Sequence, residues 1–270
     1  MDARRRLLDT WLPEALLQAQ QTTGWSLRSG ELSPASSDAS FRRYFRWHDG
    51  QHSLIIMDAP PPQEDVRPFM RIAGLLAEAG VHTPAILAAD PAQGFLLLED
   101  LGTHTYLESI QAGVSDAELE RMYAGAIAVL IRWQLASRPG ELPEYDEAVL
   151  RRELQLFPDW FVAHHLQREL SAEQAADWDA LCRALLDSHL AESRVFVHRD
   201  YMPRNLMTTT GEPGVLDFQD ALYGPASYDI TSLLADAFFH LPLQERDRWL
   251  RRYWEQARAA GVPLPEQFEV

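Results

Sequence analysis

Residues 195–220 read VFVHRDYMPRNLMTTTGEPGVLDFQD. Strand-forming residues lead into His198-Arg199-Asp200, and Asn205 stands five residues after that aspartate. A second apolar stretch, GVLDF, delivers Asp217 and Phe218, with Asp217 twelve residues beyond Asn205. Each polar group therefore follows a predicted strand, where a loop can turn it outward. The residue types have distinct chemistry. A carboxylate such as Asp200 can orient a hydroxyl and take its proton. The amide oxygen of Asn205 and the carboxylate of Asp217 are hard oxygen ligands of the kind Mg²⁺ selects. The five-residue gap lets one loop fold back, so that Asp200 and Asn205 are expected to face one cleft. The next strand is expected to bring Asp217 to the opposite side of the metal.

A base for a hydroxyl beside ligands for Mg²⁺ is the equipment of phosphoryl transfer. H-R-D-x-x-x-x-N followed by D-F is the spacing of the kinase catalytic and metal-binding loops. His-x-Asp alone arises often by chance, whereas three positions at two matched spacings seldom do. His198 is expected to organise this loop by hydrogen bonding, not to catalyse.

Upstream, residues 40–58 alternate in polarity on both sides of His48-Asp49-Gly50-Gln51, a hairpin signal. The stretch 33–40, rich in Ser, Ala and Asp, reads as a loop. QEDVRPFMRIAGLLAEAG (63–80) carries apolar residues at helical spacing and ends at Gly80. Two further strands, AILAAD and GFLLLED, surround Pro91 and Gly94. Ser115-Asp116-Ala117-Glu118 and Ser171-Ala172-Glu173-Gln174 have the form of capping boxes that open helices. DEAVLRRELQLFPDWFVAHHL (146–166) reads as one helix rich in aromatics. Strands followed by helices predict an α+β chain of two lobes, a β-rich lobe over 1–100 and a mainly helical lobe over 101–270.

Composition narrows the partners. A formal net charge of −16 argues against nucleic acid and anionic membrane, both of which demand positive charge. A nucleotide bound with Mg²⁺ is compatible, because the metal supplies counter-charge. No run approaches the roughly 20 apolar residues of a membrane span. The N-terminus reads as an amphipathic surface helix and not a signal peptide. One cysteine, Cys182, excludes an internal disulfide, makes a reducing cytoplasmic setting the default, and reads as a small core residue.

The segments HRDYMPRN (198–205), LDFQD (216–220) and GPASYDITSLL (224–234) resemble the aminoglycoside phosphotransferase and choline kinase superfamily. The resemblance implies a protein-kinase-like two-lobed fold, ATP and Mg²⁺ as cofactors, and a small-molecule acceptor. Asp229 falls where such proteins carry a buried helix aspartate that holds the catalytic loop backbone. SSDASFRRYFR (36–46), IMDAPP (56–61), GFLLLEDLG (94–102) and LFPDWF (156–161) look like the bacterial N-acetylmuramate/N-acetylglucosamine anomeric kinases of cell-wall recycling. By that likeness the first stretch covers the nucleotide phosphates, with Ser40 among its small residues. The backbone of Glu99, Asp100 and Leu101 would pair with adenine. The acceptor would be an amino sugar phosphorylated at C1. Resembling kinases continue with further helices past the point where this sequence stops.

The chain departs from that pattern in containing no lysine; all 24 of its Lys and Arg residues are arginine. Kinases of this type place a lysine on the third strand against the phosphates. Arg42 and Arg43 are the expected replacements, and strand alternation would aim one inward and one outward; both could equally be solvated. Near the expected acceptor site, Trp160 could stack on a sugar face or be a core residue. Glu153 and Asp159 could bond sugar hydroxyls or be surface charges. The competing readings are an aminoglycoside- or choline-type kinase, and a pseudokinase module that binds nucleotide without turnover.

Overall fold

The hairpin expected over 40–58 is present in the computed structural model, which describes residues 3–37 and 41–268. Strands β2 (Arg43–His48) and β3 (Ser53–Asp58) pair antiparallel, from Arg43 opposite Asp58 to His48 opposite Ser53. At the turn, Asp49 accepts the amides of Gln51 and His52 at 2.9 and 2.7 Å. β4 (Ile86–Asp90) and β5 (Phe95–Glu99) form the other expected pair. With β1 (Glu31–Ser37) they make a five-stranded sheet ordered β1-β2-β3-β5-β4.

β1 corrects the reading of 33–40 as a loop. Pro34 discourages a strand assignment, but among the described residues β1 pairs only with β2, and an edge strand tolerates proline. The register also shifts between Pro34 and Ser36, a bulge that accommodates the missing amide. Residues 38–40, Ser40 among them, lie outside the described residues.

Alternation assigns the two faces of the sheet. Trp47, Leu54, Ile56, Phe95 and Leu97 are buried with Leu8, Ala15 and Ala19 of helix α1 (Ala3–Thr23). Their neighbours Tyr44, Arg46, Ile55 and Leu98 therefore point to the opposite face. Gly94 closes the β4–β5 turn at φ +72, where an added Cβ would lie 1.9 Å from the Ala59 carbonyl oxygen. Helix α2 (Arg67–Glu78) ends with Gly80 at φ +71 and the Val81 amide reaching back to the Leu76 carbonyl at 2.9 Å.

Contacts divide the chain into Met1–Ala126 with Pro203–Asp220, and Ile127–Met202 with Ala221–Val270. The division differs from a cut at residue 100, because 203–220 is stitched to the first unit. Thr208 donates to the His104 carbonyl and Val215 to the His82 carbonyl, both at 2.8 Å. Helix α3 (Tyr106–Ala112) also belongs to that unit, opened by a Thr105–Glu108 capping box.

The second unit is mainly helical. It takes in the end of α4 (Asp116–Leu135), α5 (Glu147–Leu156), α6 (Ala172–Ala191), α7 (Tyr228–Leu234) and α8 (Leu243–Ala260). One strand pair completes it, β6 (Arg194–Val197) against β9 (Leu222–Pro225). The capping box at Ser171–Gln174 opens α6, and Cys182 of that helix is buried. The buried amide of Gln134 donates to the Ala226 carbonyl at 3.0 Å and accepts the Tyr253 hydroxyl at 2.6 Å, so no polar cost remains there. The helix expected over 146–166 changes character midway. After Leu156 the chain widens into a π-helix, Phe157–His165. Pro158 explains the change: it has no amide for the ladder and its ring crowds the preceding turn.

Candidate active site

In the first unit, a cleft of about 420 Å³ opens on the sheet face away from α1. Ile55, Leu98, Leu101, Met207 and Leu216 give it apolar walls suited to a flat ring. Asn205, Asp217, Arg204 and Arg46 give it a polar side. Asn205 ends a short 3₁₀ turn, Pro203–Asn205, and leads into β7 (Leu206–Met207), which pairs with β8 (Gly214–Val215). The Asn205 carbonyl accepts the Leu216 amide at 2.9 Å. This small hairpin therefore brings Asn205 and Asp217, twelve residues apart, to one wall. Asp217 sits at φ +61, a strained conformation for a residue with a Cβ. Phe218 next to it is fully buried and packs on Phe69 of α2 at 4.6 Å, which anchors the turn.

The donor set fits Mg²⁺. Among the described residues no group of three or more His, Cys, Asp or Glu could hold a metal. One amide oxygen and one carboxylate on a cleft wall are what Mg²⁺ takes from a protein when phosphate oxygens and water complete its shell.

Arg46 is the strand arginine on this face. Its Nε and Nη2 grip the two oxygens of Asp100 at 2.6 and 3.0 Å, and Nη2 also reaches the Gly102 carbonyl at 2.8 Å. Asp100 further accepts the Ser53 hydroxyl and, at 3.0 Å, the Gly102 amide. Burial pushes the Asp100 carboxyl up, but these bonds outweigh it and hold the group below its ordinary value. The Glu99 amide donates to Ala85 at 2.9 Å. The segment Glu99–Leu101 is thus fixed from both ends, with Leu101 in the cleft wall.

Arg43, expected among the nucleotide-binding residues, has the parity of Trp47 and belongs to the α1 face. It forks onto the fully buried Asp58, its Nε at 3.0 Å, while Arg4 of α1 takes the other oxygen at 2.8 Å. A carboxylate this buried requires such partners, and that demand removes Arg43 from the cleft. Arg42 lies just before β2, is not among the cleft-lining residues, and its Nε lies 3.8 Å from Glu64. Arg46 escaped the sequence reading, although its alternation with the apolar Trp47 carried the signal.

In the second unit, β6 delivers His198, Arg199 and Asp200. His198 and Asp229 are both 1% exposed. Asp229 accepts the His198 amide at 2.7 Å and the Arg199 amide at 3.0 Å. Burial pushes its carboxyl up to about 7 against the pull of those two amides, with Asp200 adding to the rise. His198 Nδ1 accepts the Asp200 amide at 3.2 Å. The Asp200 carbonyl accepts the Met202 amide at 2.9 Å. Arg199 stands at φ +78, and its guanidinium donates to Glu153 of α5 at 2.6 Å.

Glu153 is therefore tied to the His198–Asp200 loop, and it also accepts the Tyr145 hydroxyl. Asp159 is exposed and accepts the Gln155 amide at 3.0 Å. Trp160 is 62% exposed, which overturns the core reading of that side chain. It tilts against His164 at 5.4 Å, while Phe157, Phe161 and His165 stack at 5.3 and 5.6 Å. The wide π turn sets residues four apart nearly above one another, and so builds this ladder.

Comparison with known proteins follows the same lines. A family described as "Phosphotransferase enzyme family" matches residues 31–263. The N-acetylmuramate/N-acetylglucosamine kinase of Pseudomonas aeruginosa PAO1 is 55% identical over 269 residues, covering 99% of this chain and 78% of that protein. Its namesake from Pseudomonas putida KT2440 is 51% identical over the same shares. The ADP-bound crystal structure of the aminoglycoside phosphotransferase APH(2'')-Ib superposes with a TM-score of 0.59 at 15% identity, covering 92% of this chain and 84% of that one. That last likeness concerns the α+β fold alone. Fold, family match and identity along almost the whole chain agree, and the chain belongs to the phosphotransferase enzyme family.

Proposed function

We propose that this kinase uses Mg·ATP to phosphorylate the C1 hydroxyl of N-acetylmuramate or N-acetylglucosamine, in the reuse of cell-wall sugars in the cytoplasm. The observation that carries phosphoryl transfer is the pairing of Asn205 and Asp217 on one wall of an apolar cleft, with His198-Arg199-Asp200 five residues upstream. The acceptor is suggested by the names of the relatives that match along the chain.

In this reading the nucleobase lies between Ile55, Leu98 and Leu101, beside the backbone that Arg46 and Asp100 hold. Asn205 and Asp217 would hold Mg²⁺, which supplies counter-charge to the phosphate oxygens. Arg42, next to the first residue of β2, takes the phosphate role that a lysine fills elsewhere, its fork suited to two phosphate oxygens. Asp200 accepts the proton of the sugar hydroxyl as that oxygen bonds the γ-phosphorus and the bond to the β-phosphate oxygen breaks, releasing ADP. The exposed Trp160 offers a face for the sugar ring, with Asp159 beside it for a hydroxyl.

Phosphorus NMR of mixtures of ATP, Mg²⁺ and each amino sugar tests the reading. A sugar 1-phosphate resonance growing with ADP is expected. ATP consumption only with an aminoglycoside or choline would replace the acceptor, and no metal-dependent turnover with any acceptor would leave a nucleotide-binding module.

A further inference from the structure

We propose that Glu153 is a positioning residue for phosphoryl transfer, acting through Arg199 on the loop that carries Asp200. The inference rests on the reading of Asp200 as the base.

Arg199 occupies the left-handed region at φ +78. A turn that needed only this backbone would be served best by glycine, which adopts it without steric cost. An arginine here bears the strain and places a side chain. Its guanidinium reaches Glu153 at 2.6 Å, 46 positions earlier in the chain. Glu153 does not depend on Arg199 alone. Its other oxygen accepts the Tyr145 hydroxyl and lies 3.5 Å from the Tyr228 hydroxyl. Tyr145 is 1% exposed, and its ring packs on that of Tyr228 at 5.2 Å. The carboxylate is thus a fixed anchor set in a tyrosine bracket.

Asp229 meanwhile holds the amides of His198 and Arg199. The residue before the base is fastened by its backbone on one side and its guanidinium on the other. The peptide that aims Asp200 has little freedom left. Glu153, a candidate sugar ligand in the sequence, is spent on aiming the base.

The test compares Glu153→Ala, Arg199→Gly and the double variant, with Asp200→Asn and Glu147→Gln alongside. Glu147 is an exposed carboxylate at the start of the same helix. Misplacing a reacting group by about 1 Å costs roughly 100-fold. Each single variant should lose about 10- to 100-fold in kcat, with both KM values and Mg·ATP affinity by calorimetry near wild type. The double variant should be no worse than either single, and Glu147→Gln should be normal. Wild-type kcat in either single variant, or multiplying losses in the double, overturns the proposal. A rise in acceptor KM confined to Glu153→Ala also overturns it and makes Glu153 a sugar ligand. Should Glu153→Ala fail to fold, Arg199→Gly decides alone, since glycine relieves the strain at that position. If Asp200→Asn retains wild-type turnover, the base assignment fails and this inference falls with it. If Asp200→Asn is inactive while Glu153→Ala is normal, this inference alone fails.

Discussion

Two adjacent arginines have different surroundings: Arg43 begins β2 on the α1 face, while Arg42 precedes that strand and is proposed to meet the nucleotide phosphates. Arg43 neutralises Asp58, which is fully buried and shared with Arg4. Arg43→Ala should leave the KM for ATP within about 2-fold and lower stability by about 1–2 kcal/mol, a modest figure because its side chain is 40% exposed. Arg42→Ala should do the reverse, raising the KM for ATP or lowering kcat about 10-fold, as expected for a lost charge-assisted bond of roughly 1.5–3 kcal/mol. Steady-state kinetics and denaturant melts on both variants decide the matter; matching kinetic losses would put both guanidinium groups on the nucleotide. At this scale the sequence was legible where spacing singled out residues, as at Asn205 and Asp217, which both line the cleft. It was less legible where a common charge had to be assigned to a face. Arg46 and Arg43 differ only in which side of β2 they leave, and that is set by Trp47, Leu54 and Ile56 packing on α1.

Elements announced by their ends were readable. The β2–β3 hairpin has Asp49-Gly50 at its turn, α2 stops at Gly80, and α6 opens on Ser171 and Gln174. Elements whose stability comes from a partner were not. β1 contains Pro34 and exists because β2 offers an open edge, and β9 (Leu222–Pro225) ends in proline and exists because β6 lies beside it. The π-helix follows from Pro158, yet proline alone predicts a break as readily as a widened turn. The β7–β8 hairpin is the element on which the proposed chemistry rests, since it sets Asn205 and Asp217 on one wall. Asn205→Ala and Asp217→Ala should each weaken Mg·ATP binding by about 10-fold or more, because the metal neutralises the phosphates. Binding of metal-free ATP should change little. Calorimetry with and without Mg²⁺ separates the two, and equal losses in both conditions would mean that the hairpin itself had come apart.

Charge belongs to the chain as a whole, and it bears on how an anionic nucleotide reaches the cleft. The sequence carries −16. The cleft does not reverse that sign, because Arg46 and Arg204 stand against Glu99, Asp100, Glu108 and Asp217 among its lining residues. Two cations facing four carboxylates leave the approach unfavourable both far away and close by. Metal-free ATP meets that repulsion in full, whereas Mg·ATP meets about half of it, so in the proposed reaction the metal would aid capture as well as chemistry. Long-range repulsion of this kind is screened by salt, the Debye length falling from about 30 Å at 0.01 M to about 8 Å at 0.15 M. The kcat/KM for Mg·ATP should therefore rise about 2- to 10-fold between those ionic strengths and then level off, the opposite of an enzyme that steers its nucleotide with a basic funnel. The two proposed acceptors supply an internal control. N-acetylglucosamine is neutral, and its kcat/KM at saturating Mg·ATP should be nearly flat with salt. N-acetylmuramate carries a carboxylate and should share the increase. A kcat/KM for Mg·ATP that falls as salt is added would show that Arg42, Arg46 and Arg204 outweigh the net charge where it matters, and would assign recognition of the nucleotide to these arginines.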